Sequence, residues 1–169
     1  VSFLLDTNIL SAHLRRPAGL AHRFFQHSGR LSTSGVSLAE LYDWVNGRRD
    51  PDPLRASVQR LLTYEVSLIP FDADCAEEFG RVRADLRRRG ISVDNMDLLI
   101  GATALVYDLT VVTHNTRHFR HIPGLRLDDW LTPRSGATKK RLRRVKERTG
   151  PPTVWYLGNV NGPNVMPTK

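Results

Sequence analysis

The chain has 169 residues, enough for one ordinary domain with an appendage, and its 40% apolar content can fill a core. A lone cysteine, Cys75, excludes a disulfide framework and fits a reducing compartment. No apolar run reaches the roughly 20 residues of a membrane span, and no basic-then-apolar leader opens the sequence, so a cytoplasmic protein is expected.

The formal charge of +8 lies entirely in residues 133–169, where nine basic groups face one acid, Glu147; residues 1–132 balance 16 arginines against 16 acids. The charge therefore describes the tail and not the domain. All four lysines also lie in the tail. The arginine-only domain reflects either codon bias or a use for the two-pronged guanidinium on phosphate. The expected organisation is a domain over 1–132 and a basic tail over 133–169, flexible or conditionally helical and of unassigned role.

Val1–Leu5 reads as a buried strand, and "TNILSAHL" as a short helix broken by Pro17. Leu20–His27 continues helical. "RLSTSGVS" holds a short strand, and Ser37 can cap the helix "LAELYDWVNG", whose Leu38, Leu41 and Val45 form an apolar stripe. Asp52 or Pro53 starts the helix "PLRASVQRLLTY", and "EVSLIPF" is a strand. Asp72 or Asp74 caps the long helix "CAEEFGRVRADLRRRG", stopped by Gly90, and Asp94 opens "NMDLLIGATALVYD". "LTVVTHN" is a strand, "HNTRHFRH" a loop, and "LRLDDW" a last short strand. Strands alternating with helices predict an α/β domain with a mainly parallel sheet. In such sheets the site lies beyond the C-terminal strand ends, which is where Asp6, Ser37 near Glu40, and Thr113–Asn115 fall.

Three acids are candidates for chemistry: Asp6 after the first strand, Glu40 between Leu38 and Leu41, and Asp97 in a helix's first turn. Each also has an ordinary explanation. Asp6 could cap the following helix, Glu40 could be solvated, and Asp94 with Asp97 resembles a weak capping box. His114, His118 and His121 stand at i, i+4 and i+7, a spacing that could bind zinc on a helix, but no cysteine or acid completes the set. The run Arg87–Arg89 reads as a solvated helix end, where cations suit the dipole.

The stretches "FLLDTNIL", "VSLAELYDWV", "LRRRGISVDNMDLLIGATALVYDLTVVTHNTRHF" and "IPGLRLDDW" fall in order over roughly residues 2–131. Together they resemble the PIN-domain ribonucleases, specifically the VapC toxins of type II toxin–antitoxin systems. The resemblance implies a Rossmann-like, mainly parallel sheet flanked by helices, with an acidic metal pocket at its C-terminal edge. It makes Asp6, Glu40 and Asp97 the catalytic, metal-binding acids. Thr7 and Thr113 would supply hydroxyls near the pocket, and Asn8 would fix the loop. Where many relatives carry a fourth acid this chain has Asn115, which brings no charge and argues against tight binding of a second metal. Arg117, His118 and Arg120 are candidate contacts to RNA phosphate.

Carboxylates about 4 Å apart repel by about 4 kcal/mol at an effective dielectric near 20, so three together take up protons or recruit a cation. Oxygen-only ligands select Mg²⁺ or Mn²⁺. The expected activity is a metal-dependent endoribonuclease that cuts tRNA or rRNA loops, where unpaired backbone admits in-line attack. A VapB-like antitoxin and a homodimer are implied by the same resemblance. The alternative is a PIN-fold module that binds RNA or protein without cleaving. A dehalogenase-like phosphatase needs a second Asp at position 8 and a lysine in the domain, and a nucleotide-binding P-loop needs its glycine signature; this sequence has neither.

Overall fold

The computed structural model describes residues 1–132, so the expectations for the tail lie outside the described residues. The elements in chain order are β1 (Phe3–Leu5), α1 (Thr7–Arg15), α2 (Pro17–Gln26), β2 (Leu31–Ser34), α3 (Gly35–Asn46), α4 (Asp52–Tyr64), β3 (Ser67–Ile69), α5 (Ala73–Arg88), α6 (Asn95–Val106), β4 (Thr110–Val112), α7 (Thr116–Phe119) and β5 (Arg126–Asp128). The five strands are all parallel, in the order β3-β2-β1-β4-β5. Their register places Phe3 opposite both Leu31 and Thr110, and Leu5 opposite Val112.

Strand alternation sorts the core into two layers. Phe3 and Leu5 face one apolar cluster with Ile9, Leu10, Leu41, Val58 and Trp130. Leu4 faces the other, with Val82, Leu98, Ile100, Val111 and Phe119. Burial on both faces explains why β1 is continuously apolar. β1 is the central strand. The chain leaves it first toward β2 and β3, then returns on its other side as β4 and β5. The reversal opens a crevice beyond the C-terminal ends of β1 and β4, the position where open parallel sheets bind ligands.

Four local features differ from the sequence expectations. Pro17 starts α2 rather than only ending α1, because a first-turn position needs no backbone N–H. α3 begins at Gly35, and its cap is Ser34, whose hydroxyl accepts from the Ser37 amide at 3.0 Å. Ser37 instead lies inside the helix, buried and 3.1 Å from the same hydroxyl. Finally, the histidine-rich segment is not all loop: Thr116–Phe119 turns helical and buries the Phe119 ring completely.

α5 ends as expected. Gly90 takes φ +66, a left-handed conformation that costs glycine little, and redirects the chain toward Asp94. The Asp94 side chain then accepts from the Met96 amide at 2.8 Å and caps α6.

Candidate active site

β1 ends at Leu5, and the next residue, Asp6, turns out of the sheet as the N-cap of α1. Its carboxylate is 5% exposed. It accepts from the Thr7 amide at 2.7 Å, from Asn8 Nδ2 at 2.6 Å and from Thr113 Oγ1 at 2.7 Å. The capping role and a site role therefore coexist in one side chain. Burial pushes its pKa up from the usual value; the bonds from Thr113, Thr7 and Asn8 oppose this, and the charge of Asp97 adds to it.

Thr113, the first residue past β4, is fully buried and ties the two strand ends together. Its hydroxyl donates to Asp6 and accepts from Asn8 Nδ2 at 3.0 Å and from the Asn115 amide at 2.9 Å. Asn8 spends the other end of its amide on the His114 N–H, 3.0 Å away. Asn8 thus locks the start of α1 to the loop after β4.

Glu40 arrives from α3. Thr7 Oγ1 donates to its Oε2 at 2.5 Å, with the Ser37 carbonyl 3.2 Å from the same hydroxyl. Burial raises the Glu40 pKa, the Thr7 bond pulls the other way, and Asp6 and Asp94 repel it further upward. Asp97 arrives from the first turn of α6. Its pKa is raised chiefly by burial, lowered by His118, and raised again by Asp94 and Glu40. His118 Nδ1 lies 3.2 Å from Asp97 Oδ2 and 2.8 Å from Asn115 Nδ2. A single ring nitrogen serves only one of these at a time: as N–H it donates to Asp97, and as a lone pair it accepts from the Asn115 amide.

A cleft of about 290 Å³ is lined by Asp6, Thr7, Asn8, Glu40, Asp97 and Asn115, together with Ser11 and Trp44. The structure therefore gathers the three acids and three of the four supporting residues around one space, with Thr113 buried behind Asp6. Arg117 shares α7 with His118 and Arg120 caps its C-terminus, but neither lines the cleft; both are exposed. The histidines diverge: His114 pairs with Asp129 at 3.1 Å, His118 with Asp97, and His121 accepts from Arg120. Among the described residues no three histidine, cysteine or acid side chains stand close enough to hold a metal ion as placed. The donors of the cleft nevertheless fit a hard divalent cation in kind, being all oxygen, partly desolvated and mutually repelling.

Sequence reasoning passed over Trp44 and Ser11. Trp44 is four residues beyond Glu40 and Ser11 four beyond Thr7, so helical periodicity places each on the face of a residue already singled out. The Trp44 ring is flanked by Arg48 at 4.6 Å and Arg15 at 5.8 Å. Asp94, read only as a helix start, also contributes charge to the acidic cluster.

Residues 3–125 match the PIN domain family. The tRNA(fMet)-specific endonuclease VapC of Shigella flexneri is 33% identical over 131 residues, covering 77% of this chain and 98% of that protein. Ribonuclease VapC2 of Haemophilus influenzae is 29% identical over 132 residues, covering 78% and 99%. Among solved structures, the DNA-bound VapBC of Salmonella typhimurium superposes with a TM-score of 0.72 at 31% identity, covering 77% of this chain and 98% of that one. VapBC2 of Rickettsia felis, bound to a promoter DNA fragment, gives 0.71 at 27% identity, covering 77% and 99%.

Proposed function

Because this chain belongs to the PIN-domain family, in its VapC branch, we propose that it is the metal-dependent endoribonuclease toxin of a VapBC-type pair, with Asp6, Glu40 and Asp97 holding Mg²⁺ or Mn²⁺. One observation carries the reading: carboxylates from the residue after β1, from α3 and from α6, far apart in sequence, line one cleft at the strand-order reversal of a parallel sheet. The divalent ion supplies a polarised phosphoryl oxygen and a water of lowered pKa.

The chain's own groups do the rest. Thr113, Asn8 and the Thr7 amide hold Asp6 in a fixed orientation with its lone pairs partly used. Thr7 orients Glu40, and His118 orients Asp97. Asn115 offers an amide to water or substrate in the position where charge is absent. Arg117, Arg120 and the outer face of His118 contact the RNA backbone beside the cleft. The names of the relatives, an endonuclease specific for one tRNA among them, support a structured RNA such as a tRNA or rRNA loop as substrate. The VapBC assemblies of the solved relatives support a VapB-like antitoxin as partner. A two-fold homodimer and a cytoplasmic location complete the reading; among the described residues no helix is long and apolar enough to cross a membrane.

The test is cleavage of tRNA and rRNA fragments by the purified protein. Mg²⁺ or Mn²⁺ should support cleavage and EDTA should stop it. Asp6→Asn should lower the rate by more than the roughly 10–100-fold typical of losing a residue behind the ligands. Activity that survives both EDTA and Asp6→Asn would remove the metal mechanism. A second reading, a module that binds RNA without cutting it, is favoured by the separation of the three carboxylates and by Asn115. RNA binding with no cleavage under any divalent ion would select it.

A further inference from the structure

A second cavity, about 510 Å³, opens at the turn between α5 and α6. Arg83 and Arg87 stand on one of its walls, one helical turn apart. Their neighbours are spent on ion pairs: Arg81 with Glu78, and Arg88 and Arg89 with Asp85. Among the described residues Arg83 and Arg87 have no carboxylate partner; Arg83 has only the Phe79 ring, 5.5 Å away. The run of arginines at the end of α5 is therefore not a uniform solvated tip. Arg88 and Arg89 share the Asp85 carboxylate, while Arg87 lines the cavity without an ion pair.

Ile91, Val93 and Leu98 supply apolar lining to this cavity. Its rim adjoins the acidic cleft through the first turn of α6. Asp94 and Asn95 line this cavity, while Asp97, one turn along the same helix, lines the cleft. The two spaces thus flank the first turn of α6 on adjoining faces, since Leu98, next to Asp97, lines the arginine cavity.

We propose that the Arg83–Arg87 cavity binds the nucleotide flanking the cleaved phosphodiester of a single-stranded RNA. This assignment rests on the nuclease reading above and names the substrate contact that orients the strand across Asp97. The two guanidinium groups take the flanking phosphate as a fork-shaped pair of donors. The apolar side chains of Ile91 and Val93 take the base by van der Waals contact, and the Asn95 amide reaches its edge. The cations of α5, set beside the acidic start of α6, give an anionic strand one anchor on the protein itself. The acidic cleft by contrast accepts phosphate only once its own charge is offset.

The experiment uses the full chain carrying Asp6→Asn, so that bound RNA persists, and a fluorescent single-stranded RNA read by anisotropy over a salt series. Arg83→Ala with Arg87→Ala should weaken binding by about 10-fold or more. It should also flatten the slope of log affinity against log salt by about 0.7 per lost phosphate contact. Arg83→Lys with Arg87→Lys should restore the slope and only part of the affinity, because the charge returns without the fork. Unchanged affinity and slope in the alanine pair would overturn the proposal while leaving the Asp6-dependent nuclease untouched. Loss of a dimer or of antitoxin binding with RNA affinity intact would also overturn it and give the cavity to a protein contact. Weakened RNA binding in the alanine pair would support the cavity even if the parent protein, with its acids intact, proved not to cleave.

Discussion

One hydroxyl, that of Thr113, holds together what the sequence keeps 107 positions apart: it donates to Asp6 and accepts from Asn8 and the Asn115 amide. Thr113→Val keeps the shape and removes all three bonds, leaving a buried carboxylate short of a donor. It should destabilise the protein by about 1–3 kcal/mol and slow cleavage by roughly 10–100-fold, checked by urea denaturation beside a cleavage assay. A second prediction concerns charge. Burial and mutual repulsion hold Asp6, Glu40 and Asp97 above the usual carboxylate range. The folded, ion-free protein therefore binds more protons than the unfolded chain, and the stability from these groups falls as pH rises above about 4. Asp97→Asn removes one charge and keeps an acceptor for His118, so in EDTA it should melt higher than the parent at pH 7, with the advantage vanishing toward pH 4. Mg²⁺ should raise the parent's Tm more than the variant's. Equal melting at every pH would contradict this account. At this scale the sequence was informative wherever a residue sat at a strand end or in a helix's first turn, as Asp6, Thr113 and Asp97 do. Trp44 and Ser11 escaped notice because a side chain's membership of a cleft depends on the rotation of its helix.

Helices α1, α3 and α6 each bring one element of the site to the strand ends, and their caps set the rotation. α3 shows the consequence. Ser34, buried at the end of β2, caps it through the Ser37 amide and so fixes the turn that presents Glu40. Ser34→Ala should cost about 1 kcal/mol, within the usual range for losing a serine cap, and should lower activity more than its effect on Tm explains, because Glu40 loses its bearing. Thermal denaturation and a cleavage assay at a temperature where both proteins are folded would separate the two effects. The sequence reading placed the cap at Ser37, three residues too late. The start of α3 is set by where β2 stops pairing with β1 and β3, a tertiary fact. α7 was missed for a related reason. Four residues are too few for a periodic pattern, and only the burial of Phe119 against the Leu4 layer makes the turn helical.

At the scale of the whole molecule, the alternation of apolar strands with amphipathic helices was enough to predict a parallel α/β sheet. The strand order was not legible from that alternation, and it is the order that creates the site. Placing β4 beside β1, rather than beyond β3, brings Thr113 to Asp6 and opens the crevice between them. The central strand is buried throughout. Leu4 and Leu5 are fully buried in opposite layers, so a change at either one is felt throughout the core. The site thus rests on fully buried strands, which suits a cleft whose like charges repel one another.

The Asn8 clasp has a consequence for hydrogen exchange. His114 lies on an exposed loop, where backbone amides ordinarily trade their protons with solvent quickly. Its N–H, however, is gripped by the carbonyl of the Asn8 side chain, which is itself bound to Asp6 and Thr113. Deuterium should therefore enter this amide about as slowly as it enters the neighbouring strand β4, and Asn8→Ala should release it to the pace of an unstructured loop.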